Sequence, residues 1–196
     1  MTLLSGQNGL NHHLAKAAKG DAAAWRALVD AFWPRVYGLL VRLCGDRELA
    51  EEITKDTFVK LVTQLTKAAG YREQGRFESY LFRIAINRLR DEMRRRQRQA
   101  RTTDFSAASP AASQLASASE DPLGQVQQVE QVQLLRSFVA RLPEADKEVL
   151  HLRHTAGLSF QQIAQTLHQP LGTVLARSHR ALVKLRKMMG DKVEWI

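Results

Sequence analysis

The sequence predicts an all-α protein made of two small helical bundles joined by a flexible linker, the second bundle containing a helix-turn-helix. Three observations predict it. Apolar residues recur at three-and-four spacing in both halves of the chain, as helices with one buried face require. No segment alternates apolar and polar residues as a half-buried strand does, and no solenoid-period repeat is present. Between the halves lies QARTTDFSAASPAASQLASASEDPLG, rich in Ala and Ser, broken by Pro110 and Pro122, and without a helical apolar stripe. The 196 residues allow one ordinary domain or two small ones. The composition break favours an N-terminal extension (1–20), a first bundle (21–98), a linker (99–125), a second bundle (126–190) and a short tail (191–196).

In the first bundle, Trp25, Leu28, Val29, Phe32, Val36, Leu39, Leu40 and Leu43 share one helix face, Asp21 is placed to cap it, and Pro34 predicts a kink or a break. A second helix, Asp46 to Leu65, turns Ala50, Ile53, Thr57, Leu61 and Leu65 inward. Glu52, Asp56 and Thr63 lie opposite, with Val59 exposed among them. Acids at i,i+4 repel by about 0.2–0.5 kcal/mol in an isolated helix, so folding alone does not place them together. The patch is either a solvated face or a surface for a protein partner, with charge for steering and the valine for affinity.

A third helix, Glu78 to Arg98, buries Leu81, Ile84, Ala85 and Leu89, flanked by Phe82, Ile86 and Met93. Its other side carries Tyr80, Arg83, Asn87, Arg90, Arg94 and Arg98. Arginines so spaced neutralise successive phosphates, Asn87 suits an adenine edge, and Tyr80 offers a ring for an unstacked base. The preceding GYREQGRFES contributes Tyr71 and Phe77, loop aromatics able either to hold an extruded base or to pack on their own domain.

In the second bundle, a helix from Val126 to Leu142 with Val129, Val132, Leu135, Phe138 and Val139 on one side stops at Pro143. In LSFQQIAQTLHQPLGTVLARSHRALVKLRKMM, Ser159 can cap a short helix bearing Ile163, Ala164 and Leu167. A turn at His168 to Pro170 leads into a longer helix anchored by Val174, Ala181 and Leu185. Thr173, Arg177, Arg180, Lys184 and Lys187 form its outward stripe, as on a recognition helix entering the major groove.

The 29 Lys and Arg against 20 Asp and Glu give a formal charge of +9, which favours a polyanionic partner. The basic helix needs its apolar face for the bundle, which argues against lipid insertion. The apolar runs fall short of the ~20 residues of a membrane span, and the first residues lack a signal-peptide apolar region, so a cytoplasmic protein is expected. Cys44 stands alone, suiting a reducing compartment. His12–His13 and the pair His151 and His154 lack a third ligand, so no metal is expected. Neither a phosphate-cradling loop nor a nucleophile elbow nor a Cys/His pair is evident, so neither an enzyme, a cofactor nor a small-molecule substrate is expected.

DAAAWRALVDAFWPRVYGLLVRLCGDRELAEEITKDTFVKL, RFESYLFRIAINRLRDEMRRR and LPEADKEVLHLRHTAGLSFQQIAQTLHQPLGTVLARSHRALVKLR, in this order, together resemble a bacterial extracytoplasmic function (ECF) sigma factor. The resemblance implies a dissociable specificity subunit of RNA polymerase. Its first lobe would bind the polymerase clamp helices and melt the −10 promoter element, and its second would hold the flap and read the −35 element. It implies core polymerase contacts at Glu52, Asp56, Phe58 and Val59, although Phe58 also lies near the core face. It implies −10 contacts at Tyr71, Phe77, Tyr80, Arg83, Asn87, Arg90 and Arg94, and −35 contacts at Thr173, Arg177, His179, Arg180 and Lys184. An anti-sigma protein is the implied regulator. Departures from the family pattern are Lys55 for Gln, Tyr80 for Trp, Gln162 for Glu, His168 for the turn glycine and Leu175 for a basic residue. A helix-turn-helix regulator acting without polymerase is the alternative; it would leave the acidic patch and the first arginine stripe unexplained.

Overall fold

A computed structural model of the chain describes residues 7–67, 75–103 and 125–190, with side chains at 9–66, 75–100 and 132–190. The described residues form eight helices: α1 (Gln7–Ala18), α2 (Ala22–Cys44), α3 (Arg47–Lys67), α4 (Phe77–Thr103), α5 (Gln125–Ala140), α6 (Glu144–His154), α7 (Phe160–Leu167) and α8 (Leu171–Met189). The architecture is all-α, with α1–α4 in one bundle and α5–α8 in the other.

Asp21 caps α2 by accepting from the Ala24 N–H at 2.9 Å, and Gly45, at φ 71°, ends it with its N–H on the Val41 carbonyl. The break expected at Pro34 does not occur. Pro34 and Asp30 both sit on the exposed side, so the carbonyl that loses its donor faces solvent rather than the core. Residues assigned by sequence to an extension contribute α1, whose Leu14 and Ala17 are fully buried against the bundle. Asp46 starts α3 by accepting from the Leu49 N–H at 3.0 Å, and its other oxygen takes Arg96 of α4, also at 3.0 Å. The buried hydroxyls of Thr54 and Thr57 donate to the Ala50 and Ile53 carbonyls. Met93, expected beside the core, is 48% exposed because α4 outruns the bundle that covers its first half.

The two bundles are docked. One hydrophobic cluster contains Leu28, Phe32, Val36, Leu81 and Phe82 of the first together with Val149, Leu152, Ala156, Leu158, Ile163, Leu167 and Val174 of the second. α6 packs on α2, and α7 packs on α4. A smaller cluster of Leu142, Leu150, Ala181 and Leu185, joined by Phe138, Val139 and Met188, is internal to the second bundle.

Candidate nucleic-acid interface

On α4, the spacing of Tyr80, Arg83, Asn87, Arg90 and Arg94 brings these residues onto one side of the helix. Asn87 is exposed, whereas Tyr80 packs partly against the core beneath the Arg83 guanidinium, 5.3 Å from the ring centre. Two of the arginines are engaged by the second bundle. Arg83 Nη1 lies 3.0 Å from His168 Nε2. A guanidinium only donates, so Nε2 is the acceptor and the imidazole proton sits on Nδ1. Arg90 Nη2 donates to both oxygens of Glu148, at 2.8 and 2.9 Å. Burial pushes the Glu148 carboxyl up and Arg90 opposes the rise. Further along, Arg94 pairs with Asp91, Arg95 with Glu92, and Arg96 with both Glu92 and Asp46. Hydrogen bonds and charge from Arg95 and Arg96 hold Glu92 below the usual carboxylate range.

Two predicted contact residues prove to be core residues. Phe77 is 1% exposed and meets Phe32 edge to face at 5.2 Å. Phe58 is likewise buried, stacked on Trp33 with ring centres 5.6 Å apart. Each ring gains more by burial against its aromatic neighbour than by exposure. Tyr71 lies outside the described residues. Around Phe58, Glu52 is exposed, Val59 is 66% exposed, and Asp56 pairs with Arg88 of α4.

The helix-turn-helix is built as its residues dictate. Ser159 and Gln162 form a reciprocal capping box at the start of α7, with the Gln162 N–H on Ser159 Oγ and the Ser159 N–H on Gln162 Oε1. His168 closes α7 at φ 52°, a left-handed conformation usually taken by glycine, with its N–H on the Ala164 carbonyl. Pro170 then starts α8, which inserts Val174, Ser178, Ala181 and Leu185 into the core. His179, Arg180 and Lys184 are exposed, Arg180 lying 3.3 Å from Asp146 of α6. Thr173 and Arg177 are half-buried, and Arg177 donates to Gln169 Oε1 at 2.6 Å. His179, Arg180, Lys184 and Lys187 share a basic cleft with α6.

Sequence reasoning missed the groups that join the bundles. Arg35 of α2 donates to the Ala156 carbonyl through Nε (2.9 Å) and Nη2 (2.6 Å), and grips Glu78 of α4 with both terminal nitrogens at 3.1 and 3.0 Å. Its guanidinium stands over Phe32 and Phe82. Gln162 Nε2 donates to the same Glu78, Ser79 Oγ donates to Gln165 Oε1, and Thr166 Oγ1 reaches the Ser79 carbonyl. The bonds of this group that cross between the bundles join residues 84 to 121 apart along the chain, a separation at which local pattern carries no signal.

Residues 28–99 match the Sigma-70 region 2 family model, and residues 138–187 match that of Sigma-70, region 4. The ECF RNA polymerase sigma factor SigW of Bacillus subtilis is 25% identical over 93% of this chain and 97% of its own. The ECF RNA polymerase sigma factor ShbA of Streptomyces griseus is 30% identical over 88% of this chain and 91% of its own. The solved structure of the sigma factor RpoE in complex with the anti-sigma factor NepR from Bartonella quintana shares the fold, with a TM-score of 0.66 at 19% identity over 86% of this chain and 98% of that one. Two family regions matched in order, and a relative at 30% identity covered almost end to end, establish that the chain belongs to the ECF RNA polymerase sigma factors.

Proposed function

We propose that this chain joins core RNA polymerase as a dissociable specificity subunit, directs it to promoters and promotes melting of the −10 element. The observation that carries this reading is that one chain bears two separate basic helices, α4 and α8, and an acidic patch around an exposed valine on α3. A DNA-binding regulator needs only one such helix. In this reading Glu52, Asp56 and Val59 meet the polymerase clamp, and the second bundle meets the flap. Tyr80, Arg83, Asn87, Arg90 and Arg94 attend the −10 element, and Thr173, Arg177, His179, Arg180 and Lys184 the −35 element. The protein acts by binding alone, in the cytoplasm. No helix among the described residues is long and apolar enough to cross a membrane.

The docked arrangement engages Arg83 and Arg90 with the second bundle, so the two lobes must separate before α4 is free for DNA. An anti-sigma protein that held them together would keep the chain inactive, and the solved complex of the sigma factor RpoE with the anti-sigma factor NepR supports a partner of that class. The test is run-off transcription with purified chain and core polymerase on candidate promoters, beside a core-binding assay. Initiation that depends on the chain is expected. Binding to promoter DNA without core binding or initiation would instead identify a stand-alone regulator.

A further inference from the structure

One flank of the exposed surface of α8 is apolar rather than basic. Leu171 and Leu175, one turn apart in its first two turns, are 45% and 44% exposed. Gly172 and Ala176 lie beside them and are exposed too. Glycine at 172 is not demanded by the fold: its φ is not in the left-handed region, and a Cβ built there meets nothing within 4 Å. Gly172 is the second residue of α8, and its missing side chain leaves bare backbone on the exposed surface of the first turn. It lets the start of the helix come close to whatever it faces. At ~100° per residue, Leu175 and Arg177 lie on opposite flanks of this low surface, with Ala176 and His179 between them. Arg180 and Lys184 extend the cationic flank.

A helix entering the major groove backbone-close, with cations on one flank and leucines on the other, meets phosphates and guanine edges with the first and apolar base groups with the second. The one apolar group that base pairs present in that groove is the C5-methyl of thymine. We infer that Leu175, flanked by Leu171, reads a thymine methyl in the upstream promoter element. A cationic side chain here would contact phosphate or guanine. This inference rests on the sigma-factor reading and adds a specificity determinant to it.

The experiment uses the full chain with core polymerase and a promoter duplex recovered by that holoenzyme from a library randomised in the −35 element. Each thymine of that element is replaced in turn by deoxyuridine, which removes only the methyl. For the unmodified chain, one replacement is expected to lower promoter affinity about fourfold, the scale of one buried methyl group. Leu175→Ala is expected to lose a similar factor on the thymine promoter and to become indifferent to that replacement. In the library, Leu175→Arg is expected to exchange the thymine preference for guanine at that position. Both changes lie on an exposed helical surface and keep a good helix former, so folding is preserved. The inference is overturned if no deoxyuridine replacement matters to the unmodified chain, or if the penalty persists unchanged in Leu175→Ala. Absence of core binding and initiation with the unmodified chain is a separate failure, which removes the sigma-factor reading and this inference with it.

Discussion

At Gln162 a single amide performs two tasks that a carboxylate could not combine. Its oxygen closes the capping box of α7, and its nitrogen donates to Glu78 across the seam between bundles. Gln162→Glu would keep the cap and lose the donor, setting a second carboxylate against Glu78. A loss of about 1 kcal/mol is expected, the scale of one hydrogen bond, and chemical denaturation of the two proteins measures it. His151 shows another effect of position. Burial first, then the charges of Arg42 and Lys147, lower its pKa from 6.5 to about 4, with Glu144 opposing and His154 adding to the depression. The unfolded chain therefore takes up a proton near pH 6.5 that the folded chain refuses until about 4. Stability from this residue is complete above about pH 6.5 and declines as pH falls towards 4. Thermal melts between about pH 7.5 and 5.5 should show that decline, and His151→Leu should flatten it; an unchanged slope would remove the assignment.

At the scale of elements, the apolar periodicity placed the helices of both bundles because each buried face is written within its own segment. Asp21 and Ser159 were readable as boundaries for the same reason, since a cap acts on neighbours three residues away, and Pro143 because a proline cannot continue a helix. Phe58 misled because it lies near the edge of a face, where periodicity assigns an angle but not which neighbour fills the space, and Phe77 because it reads as a loop aromatic although it opens α4 and is buried. α1 was unreadable as part of the bundle because its contribution to the core comes down to short pieces such as Leu14 and Ala17, set among polar residues. Two measurements test individual elements. Ser159→Ala removes the hydroxyl half of the α7 capping box and should cost about 1 kcal/mol of stability by denaturant titration. Arg177→Ala should weaken −35 recognition by about 1–3 kcal/mol in a competition assay, with a smaller effect on scrambled duplex. Equal weakening on both sequences would reduce Arg177 to a phosphate contact.

The whole molecule differs most from what its sequence suggested. An Ala- and Ser-rich stretch between two bundles reads as a tether, and nothing local reveals that the bundles share a core. The docking is specified by groups far apart in sequence: Arg35 with Ala156, Gln162 with Glu78, Arg90 with Glu148, and Ser79 with Gln165 and Thr166. Removing the Glu148 carboxylate releases Arg90 while leaving the apolar seam in place. Glu148→Ala should accordingly increase the separation between fluorophores attached to the two bundles, and should raise association with core polymerase. Unchanged separation and unchanged association together would show that this pair does not hold the lobes.

That shared core also has a thermal consequence. Ala156, Leu158, Ile163 and Leu167 lie in one apolar cluster with α2 and α4, so separating the bundles hydrates carbon surface before any partner has covered it. Exposure of apolar surface raises heat capacity, and its burial weakens as a driving force on cooling. Calorimetry of polymerase binding should therefore return a heat-capacity change less negative than the final interface alone would produce. The population of separated lobes should grow as the solution is chilled.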